Sequence, residues 1–270
     1  MTDSSVFKDN VVVITGASLG IGRELARQLA DQGARLTLAA RNVEPLNALA
    51  AECRARGAHA LVVPTDVTEP AQCKNLIEQT IKAYGRIDTL INNAGIGMWT
   101  MFDLAQDVSI FERILQVNYL GSVYCTFYAL PHLKQTRGRI VGISSLAGKT
   151  GVPARTGYAA SKHAMVGFFD SLRVEIARDG VSVTLAYPDF VATGARFRNL
   201  GADGKPVIHA PAYATNTMTA ETCARLILRG VAKRQREIYV SARGKLGQWV
   251  KLLLPNLVDR IALRAIEKGE

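Results

Sequence analysis

Short apolar runs alternate with longer amphipathic stretches along this chain, and the two patterns predict different elements. Val11-Val12-Val13-Ile14 is apolar without polar interruption, which marks a strand buried on both faces. Runs of similar length recur at 35–40, 59–63, 87–91, 139–143, 181–187 and 237–240. Between them, apolar residues spaced three and four apart predict helices over 21–31, 43–56, 70–84, 111–133 and 157–178. Strands that alternate with helices and show no polar face require a parallel sheet covered on both sides. Right-handed crossovers then wind it twice, so the expected fold is α/β, a doubly wound parallel sheet of about seven strands. Ligands in such folds bind beyond the carboxyl ends of the strands, where strand order reverses. Chemistry is therefore to be sought just after strand ends.

The first strand end carries Thr15-Gly16-Ala17-Ser18-Leu19-Gly20-Ile21-Gly22, which opens the first helix. Glycines there admit positive φ and let the main chain approach a ligand closely. Free N–H groups at the helix start, with the helix dipole behind them, suit a pyrophosphate. A second motif, Tyr158-Ala159-Ala160-Ser161-Lys162, lies inside a predicted helix. Residues four apart share a helical face, so Tyr158 and Lys162 point the same way. A fixed ammonium beside a phenol favours the phenolate and lowers its pKa from about 10. The pair is a candidate acid/base device.

The G-x-x-x-G-x-G turn and the Y-x-x-x-K pair together resemble the compact branch of the short-chain dehydrogenase/reductase family, over residues 10–193. The resemblance implies a Rossmann-type fold that binds a nicotinamide dinucleotide and acts on a carbonyl or an alcohol. It places the cofactor against Gly16, Ser18, Leu19, Gly20, Ile21 and Gly22. Asp66 and Val67 after the third strand face the adenine in this family, and Asn93, Ala94 and Gly95 follow the fourth. Pro188 and Thr193 match the nicotinamide side. Ser145, 13 residues before Tyr158, matches the family's catalytic serine, and Asn118 its helix asparagine. In the mechanism so implied, Ser145 polarises the substrate oxygen and Tyr158 donates the proton. Lys162 keeps Tyr158 acidic and holds the nicotinamide ribose, and Asn118 completes the proton path. A non-catalytic NADP(H) sensor would need the glycine turn but not Ser145, Tyr158 and Lys162 together.

The second strand ends in Ala39-Ala40-Arg41, without the acid that bonds the ribose hydroxyls in NAD-specific sites. Arg41 can pair with a 2′-phosphate, helped by Ser18 and Arg23, and it also fits an ordinary exposed arginine at a helix start. The phosphate reading is preferred, so NADP(H) is the expected cofactor, with NAD(H) possible. Asp189 stands where the family has glycine; aspartate tolerates unusual backbone angles, so either the turn survives or Asp189 reshapes the substrate entrance and places a negative charge there. Residues 195–217 keep no period, and by resemblance a substrate loop covers 190–217. Phe197, Ile208, His209 and Tyr213, with Met98 and Trp99, are candidate pocket walls.

The 270 residues are 48% hydrophobic, enough for a large core, and no Ser/Pro-rich linker divides them, so one domain is expected over 1–270. Cys53, Cys73, Cys125 and Cys223 share no metal or disulfide spacing, and His59, His132, His163 and His209 are equally scattered, so no metal site is expected. The amino terminus lacks a secretory pattern, and the long apolar run of a spanning helix is missing, which points to the cytoplasm. Net charge is +10, and from Asp189 onward 14 Lys and Arg face 7 Asp and Glu. No basic cluster is interleaved with aromatics, which argues against nucleic acid as a partner. The extension over 244–270 alternates Leu246, Trp249, Val250, Leu252, Leu253, Leu254, Leu257 and Ile261 with Lys245, Lys251, Arg260 and Arg264, interrupted by Pro255. Such a helix fits a membrane surface, the enzyme's own body or a second subunit. By resemblance the protein is a homodimer or homotetramer.

Overall fold

The computed structural model describes residues 6–193, 199–207 and 217–267. Seven parallel strands form one sheet: β1 (Val11–Thr15), β2 (Arg35–Ala40), β3 (Ala60–Pro64), β4 (Thr89–Asn92), β5 (Arg139–Ile143), β6 (Ser182–Tyr187) and β9 (Glu237–Tyr239). Their order is β3-β2-β1-β4-β5-β6-β9, so the winding reverses between β1 and β4. β1 sits at that switch point, and all five of its residues are buried, which is why it reads as an unbroken apolar run. The expected α/β architecture is the observed one.

Helices cover both faces. α1 (Gly20–Ala30), α2 (Val43–Ala55) and α7 (Ala220–Ala232) pack Leu25, Leu49 and Ile227 into one core with Val12, Ile14 and Leu36 of the sheet. On the other face α3 (Pro70–Tyr84), α5 (Gly121–Thr136) and α6 (Thr156–Glu175) bury Leu76, Leu133 and Phe169 against Val13, Leu90 and Ile140. Each large apolar side chain so buried contributes about 1.5–3 kcal/mol, which fixes the strand ends that carry the site. A short parallel pair, β7 (Val191–Ala192) with β8 (Met218–Thr219), closes the loop after β6.

One predicted helix differs. The periodic stretch over 111–133 is divided into α4 (Ser109–Leu115), a π turn over Gln116–Leu120, and α5. The cause is a tertiary contact: the Asn118 side chain accepts a hydrogen bond from Ile96 N at 2.8 Å and donates to Ile96 O at 2.9 Å. Widening the helix by one residue per turn aims that side chain at the loop after β4, and such bulges recur at functional sites.

The C-terminal part forms α8 (Ala242–Leu253) and α9 (Pro255–Glu267). Pro255 starts the second helix, where its missing N–H costs nothing. α8 docks through Gly244, Gln248 and Lys251, three positions on one helical face. Gly244 packs on Leu146, Tyr239 donates to Gln248 at 2.6 Å, and Lys251 donates to the Lys149 carbonyl at 2.7 Å. The opposite face, with Leu246, Trp249 and Leu253, is exposed. α8 therefore turns polar and small residues inward and large apolar ones outward, the reverse of a surface helix.

Candidate active site

A cavity of about 700 Å³ runs along the carboxyl ends of β1, β2, β4, β5 and β6, from Arg41 at one end to Tyr158 at the other. That volume lies in the range of sites that enclose a small ligand. Its floor is the turn after β1. Gly16 has φ +64°, and a Cβ there would meet Ala94 Cα at 2.8 Å. A side chain at Gly22 would collide with the Asn93 amide and with the Gly16 carbonyl. The amide of Asn93 itself donates to Thr15 O at 2.9 Å and to Gly16 O at 3.1 Å, while Thr15 Oγ1 accepts from Asn93 N and Ala94 N. Thus the turn after β4 braces the glycine turn after β1. Ser18, Leu19, Gly20 and Ile21, with Ala94 and Gly95, line the cavity above it.

At the far end four side chains gather. Lys162 is 4% exposed, and its Nζ donates to the Ile143 carbonyl at 2.8 Å. Burial lowers its pKa from 10.5 to about 8. Tyr158 lies in the first turn of α6, its ring centroid 5.8 Å from Lys162 Nζ. Burial pushes the phenol up from its ordinary value, and a hydrogen bond with Ser145 and the charge of Arg155 act downward. The sequence-based expectation had the phenol lowered by Lys162. The net direction is the opposite, because desolvation of the phenol outweighs the Ser145 hydrogen bond and the Arg155 charge. Ser145 caps a single 3₁₀ turn after β5 and accepts from Ala147 N at 3.2 Å, so its hydroxyl is held beside Tyr158. Asn118 is fully buried behind them, and its amide reaches Ser161 at 2.9 Å as well as Ile96.

Around the other end, Arg41 is 68% exposed and only loosely paired with Asp66, at 3.8 Å. Asp66 spends its carboxylate on Thr68, accepting from N and Oγ1, and Val67 stands beside it on the cavity wall. Arg23 is turned away: it and Arg27 are bonded to Glu52 on α2, so Arg23 is not at the Arg41 end of the cavity. Pro188 and Thr193 line the opposite rim.

Asp189 does bring a carboxylate to this rim, but the charge is met. Ser241 donates to it at 2.9 Å, and Arg243 grips both oxygens at 2.8 and 2.9 Å. Pro188 O also accepts from Leu146 N, next to Ser145. The rim, the Ser145 turn and the start of α8 are thereby one bonded unit.

Of the candidate walls, Met98 is fully buried in a small cluster with Ile110, Ile114 and Leu200, outside the cavity lining. Gly157 N donates to its sulfur, which explains the inward aim. Trp99 also lies outside the lining, under the Arg155 guanidinium at 5.3 Å from the ring centroid. Phe197, Ile208, His209 and Tyr213 fall outside the described residues. The wall is instead made by Arg155, Asn199, Phe190 and Thr217, none of which sequence reasoning selected. Arg155 was within reach of it, three residues before Tyr158 and at the N-cap of the same helix. Asn199 carries no such signal; it lines the cavity next to Leu200, which pairs with Met98 about a hundred residues earlier in the chain.

The sequence matches the family model of short chain dehydrogenases over residues 10–200. The chain is a short-chain dehydrogenase. Among its relatives is a "Dehydrogenase/reductase SDR family protein 7-like" of Dictyostelium discoideum, 36% identical over 261 residues, covering 94% of this chain and 81% of the relative. Another is an "11-beta-hydroxysteroid dehydrogenase-like 4A" of Arabidopsis thaliana, 35% identical over 257 residues, covering 95% and 84%. A Burkholderia phymatum short-chain dehydrogenase/reductase solved with NAD superposes with a TM-score of 0.82 at 26% identity, covering 93% of this chain and 95% of that one. An alcohol dehydrogenase of Thermococcus sibiricus solved with 5-hydroxy-NADP gives 0.73 at 25% identity, covering 85% and 95%. This short-chain dehydrogenase is accordingly an NAD(P)-dependent oxidoreductase acting on CH–OH groups.

Proposed function

We propose that the protein interconverts a carbonyl and a secondary alcohol on a lipophilic substrate with NADP(H) as the preferred cofactor, using Tyr158 as the acid/base. The observation that carries this reading is the meeting of Ser145, Tyr158 and Lys162 on one wall of a cavity that reaches Arg41 and the glycine turn. The braced turn at Gly16 offers backbone N–H groups for a pyrophosphate. Arg41, exposed and without an acid at Ala39 or Ala40, suits a 2′-phosphate. Asp66 and Val67 suit the adenine side, and Pro188 and Thr193 the nicotinamide side. The cofactor supplies or takes the hydride. In reduction Ser145 steadies the oxygen on which charge develops, Tyr158 gives it a proton, and Lys162 stabilises the phenolate left behind. Asn118, bonded to Ser161 and Ile96, holds the buried end of the proton path. The names of the hydroxysteroid dehydrogenase-like relatives support a lipophilic substrate.

Two surfaces extend the reading. Phe127 on α5 is 70% exposed and Val174 on α6 74%, large apolar groups that suit pairing of two copies through these helices. The outward apolar face of α8 and α9, rimmed by Lys245, Arg260 and Arg264, suits an anionic lipid surface.

The test is oxidation of NADPH, and of NADH in parallel, against a panel of lipophilic and polar carbonyls, with Tyr158→Phe as control. Expected are turnover with lipophilic ketones, loss of at least about a thousandfold in the control, and NADPH preference that falls in Arg41→Ala. Tight NADPH binding without turnover on any substrate, in either direction, would favour a non-catalytic sensor. Activity surviving in Tyr158→Phe would remove Tyr158 from its role.

A further inference from the structure

Arg155 is the residue immediately before α6, and the backbone around it is held unusually firmly. Ala154 has φ +60°, a left-handed conformation that an alanine adopts only under constraint, and it is buried. Its carbonyl accepts from Thr100 N at 3.1 Å, and Arg155 N donates to Val152 O at 3.2 Å. Strain of this kind persists where the surroundings over-determine a position, and it gathers at functional sites. Its effect here is to send the Arg155 side chain across the cavity wall, its guanidinium carbon 5.3 Å from the Trp99 ring centroid and 5.8 Å from that of Tyr158. Lys162 Nζ lies at the same 5.8 Å from the Tyr158 ring. The phenol is thus flanked by two cations.

We propose that Arg155 is a positioning residue for proton transfer, a second cation whose field favours the Tyr158 phenolate and so sets the pH range in which the phenol exchanges its proton. The inference rests on the reading of Tyr158 as the proton-transferring group. A cation is drawn to the electron-rich face of an aromatic ring, and more strongly once the ring carries a negative charge. The two cations are not equivalent. Burial leaves Lys162 with a pKa of about 8, so its charge is shed as pH rises, whereas a guanidinium stays charged throughout. Arg155 is therefore the permanent part of the field, acting downward against the desolvation that holds the phenol up.

Among the described residues, the charged groups on the elements packed around Tyr158 are engaged elsewhere. On α4, Glu112 accepts from Gln116, and Arg113 donates to Gly204 O. On the Ser145 turn, Lys149 pairs with Glu237 at 2.8 Å. On the rim after β6, Asp189 is paired with Arg243, and on α6 itself His163 bonds Ala159 O. Among the described residues, the loop 96–99 and positions 199–201 carry no ionisable side chain.

The experiment is a difference titration of tyrosinate ultraviolet absorbance on the full chain, with Tyr158→Phe subtracted to isolate the Tyr158 transition. Arg155→Met, with its own Tyr158→Phe blank, is expected to move that transition upward by about one pH unit, the scale of one charge at this separation in a partly solvated site. Arg155→Lys should restore most of it. Arg155→Gln serves equally where the methionine variant loses its circular dichroism spectrum. A midpoint unmoved in a folded variant overturns the proposal. So does a variant whose only change is a raised KM for anionic carbonyls, which would make Arg155 a substrate anchor. The titration reads the phenol directly and decides the matter whether or not turnover is found. Failure of the acid/base reading shows separately, as activity retained by Tyr158→Phe.

Discussion

The ammonium of Lys162 donates to the Ile143 carbonyl and has almost no contact with solvent, and burial brings its pKa from 10.5 to about 8. The unfolded chain keeps the proton up to the ordinary lysine value, while the folded chain releases it near 8. Below pH 8 both states are charged, and the folded state bears the full cost of the buried cation. As pH rises from 8 to 10.5 the folded state sheds its proton first and that cost is relieved. Stability due to Lys162 therefore rises with pH across this window, by at most about 1.4 kcal/mol per unit. Urea melts of the wild type and Lys162→Met at about pH 7 and about pH 9.5 should show the wild type gaining on the variant by roughly 1–2 kcal/mol. A gap independent of pH would mean that the lysine titrates at its ordinary value. The same residue shows what a sequence conveys at this scale. The spacing of Tyr158 and Lys162 gave their shared face, because helical geometry depends only on local order. Their proton affinities depend on how much water the fold removes, which no spacing encodes.

Elements show a similar division. The strands were legible because a sheet buried on both faces leaves unbroken apolar runs, as in β1. The π turn at Asn118 was not, since one extra residue within a periodic stretch barely disturbs the period, and its cause lies in Ile96, 22 residues away. Met98, a candidate pocket wall from sequence, shows a related limit: its side chain turns into the cluster with Ile110 and Leu200, contacts that its own neighbours in the chain do not reveal. Asp189 shows the same limit at longer range, because its partner Arg243 lies 54 residues on, in another element. That contact ties the rim after β6 to the start of α8, where Ser241 both caps the helix at Gly244 N and bonds Asp189. Arg243 is mostly exposed, so the pair contributes only about 1 kcal/mol or less to global stability. Its larger effect should fall on the rim. Asp189→Asn and Arg243→Ala are each expected to raise KM for NADPH about 3–10-fold, corresponding to roughly 1 kcal/mol, with Tm nearly unchanged. If the contact acts as one unit, the double variant should be no worse than either single one. Additive losses, or none, would show that the rim holds its shape without α8.

For the whole molecule, the inverted polarity of α8 joins the chemistry to the surface. The face that docks on the sheet is Gly244, Gln248 and Lys251, and the face left outward includes Leu252 at 75% exposure and Leu253 at 76%. α9 continues the apolar row with Leu257, Ile261 and Leu263. No helix among the described residues is long and apolar enough to cross a membrane, so contact with lipid would be peripheral. Lying flat, the two helices would bury several leucines and one tryptophan, each worth about 1.5–3 kcal/mol when fully covered, with basic side chains at the headgroups. Deleting the tail over 244–270 is a poor test, because it also removes the cover over Leu146, the Lys251 contact with the Lys149 carbonyl and most of the helix that carries Arg243. Substituting the outward face leaves those contacts in place. Full chain should co-sediment with vesicles of phosphatidylcholine and phosphatidylserine, less with phosphatidylcholine alone. Trp249→Glu with Leu253→Glu should weaken that binding at least about tenfold without altering turnover of a water-soluble carbonyl. If full chain stays in the supernatant with both vesicles, the apolar row has another cover, and cross-linking through Trp249→Cys would then report whether a second copy supplies it.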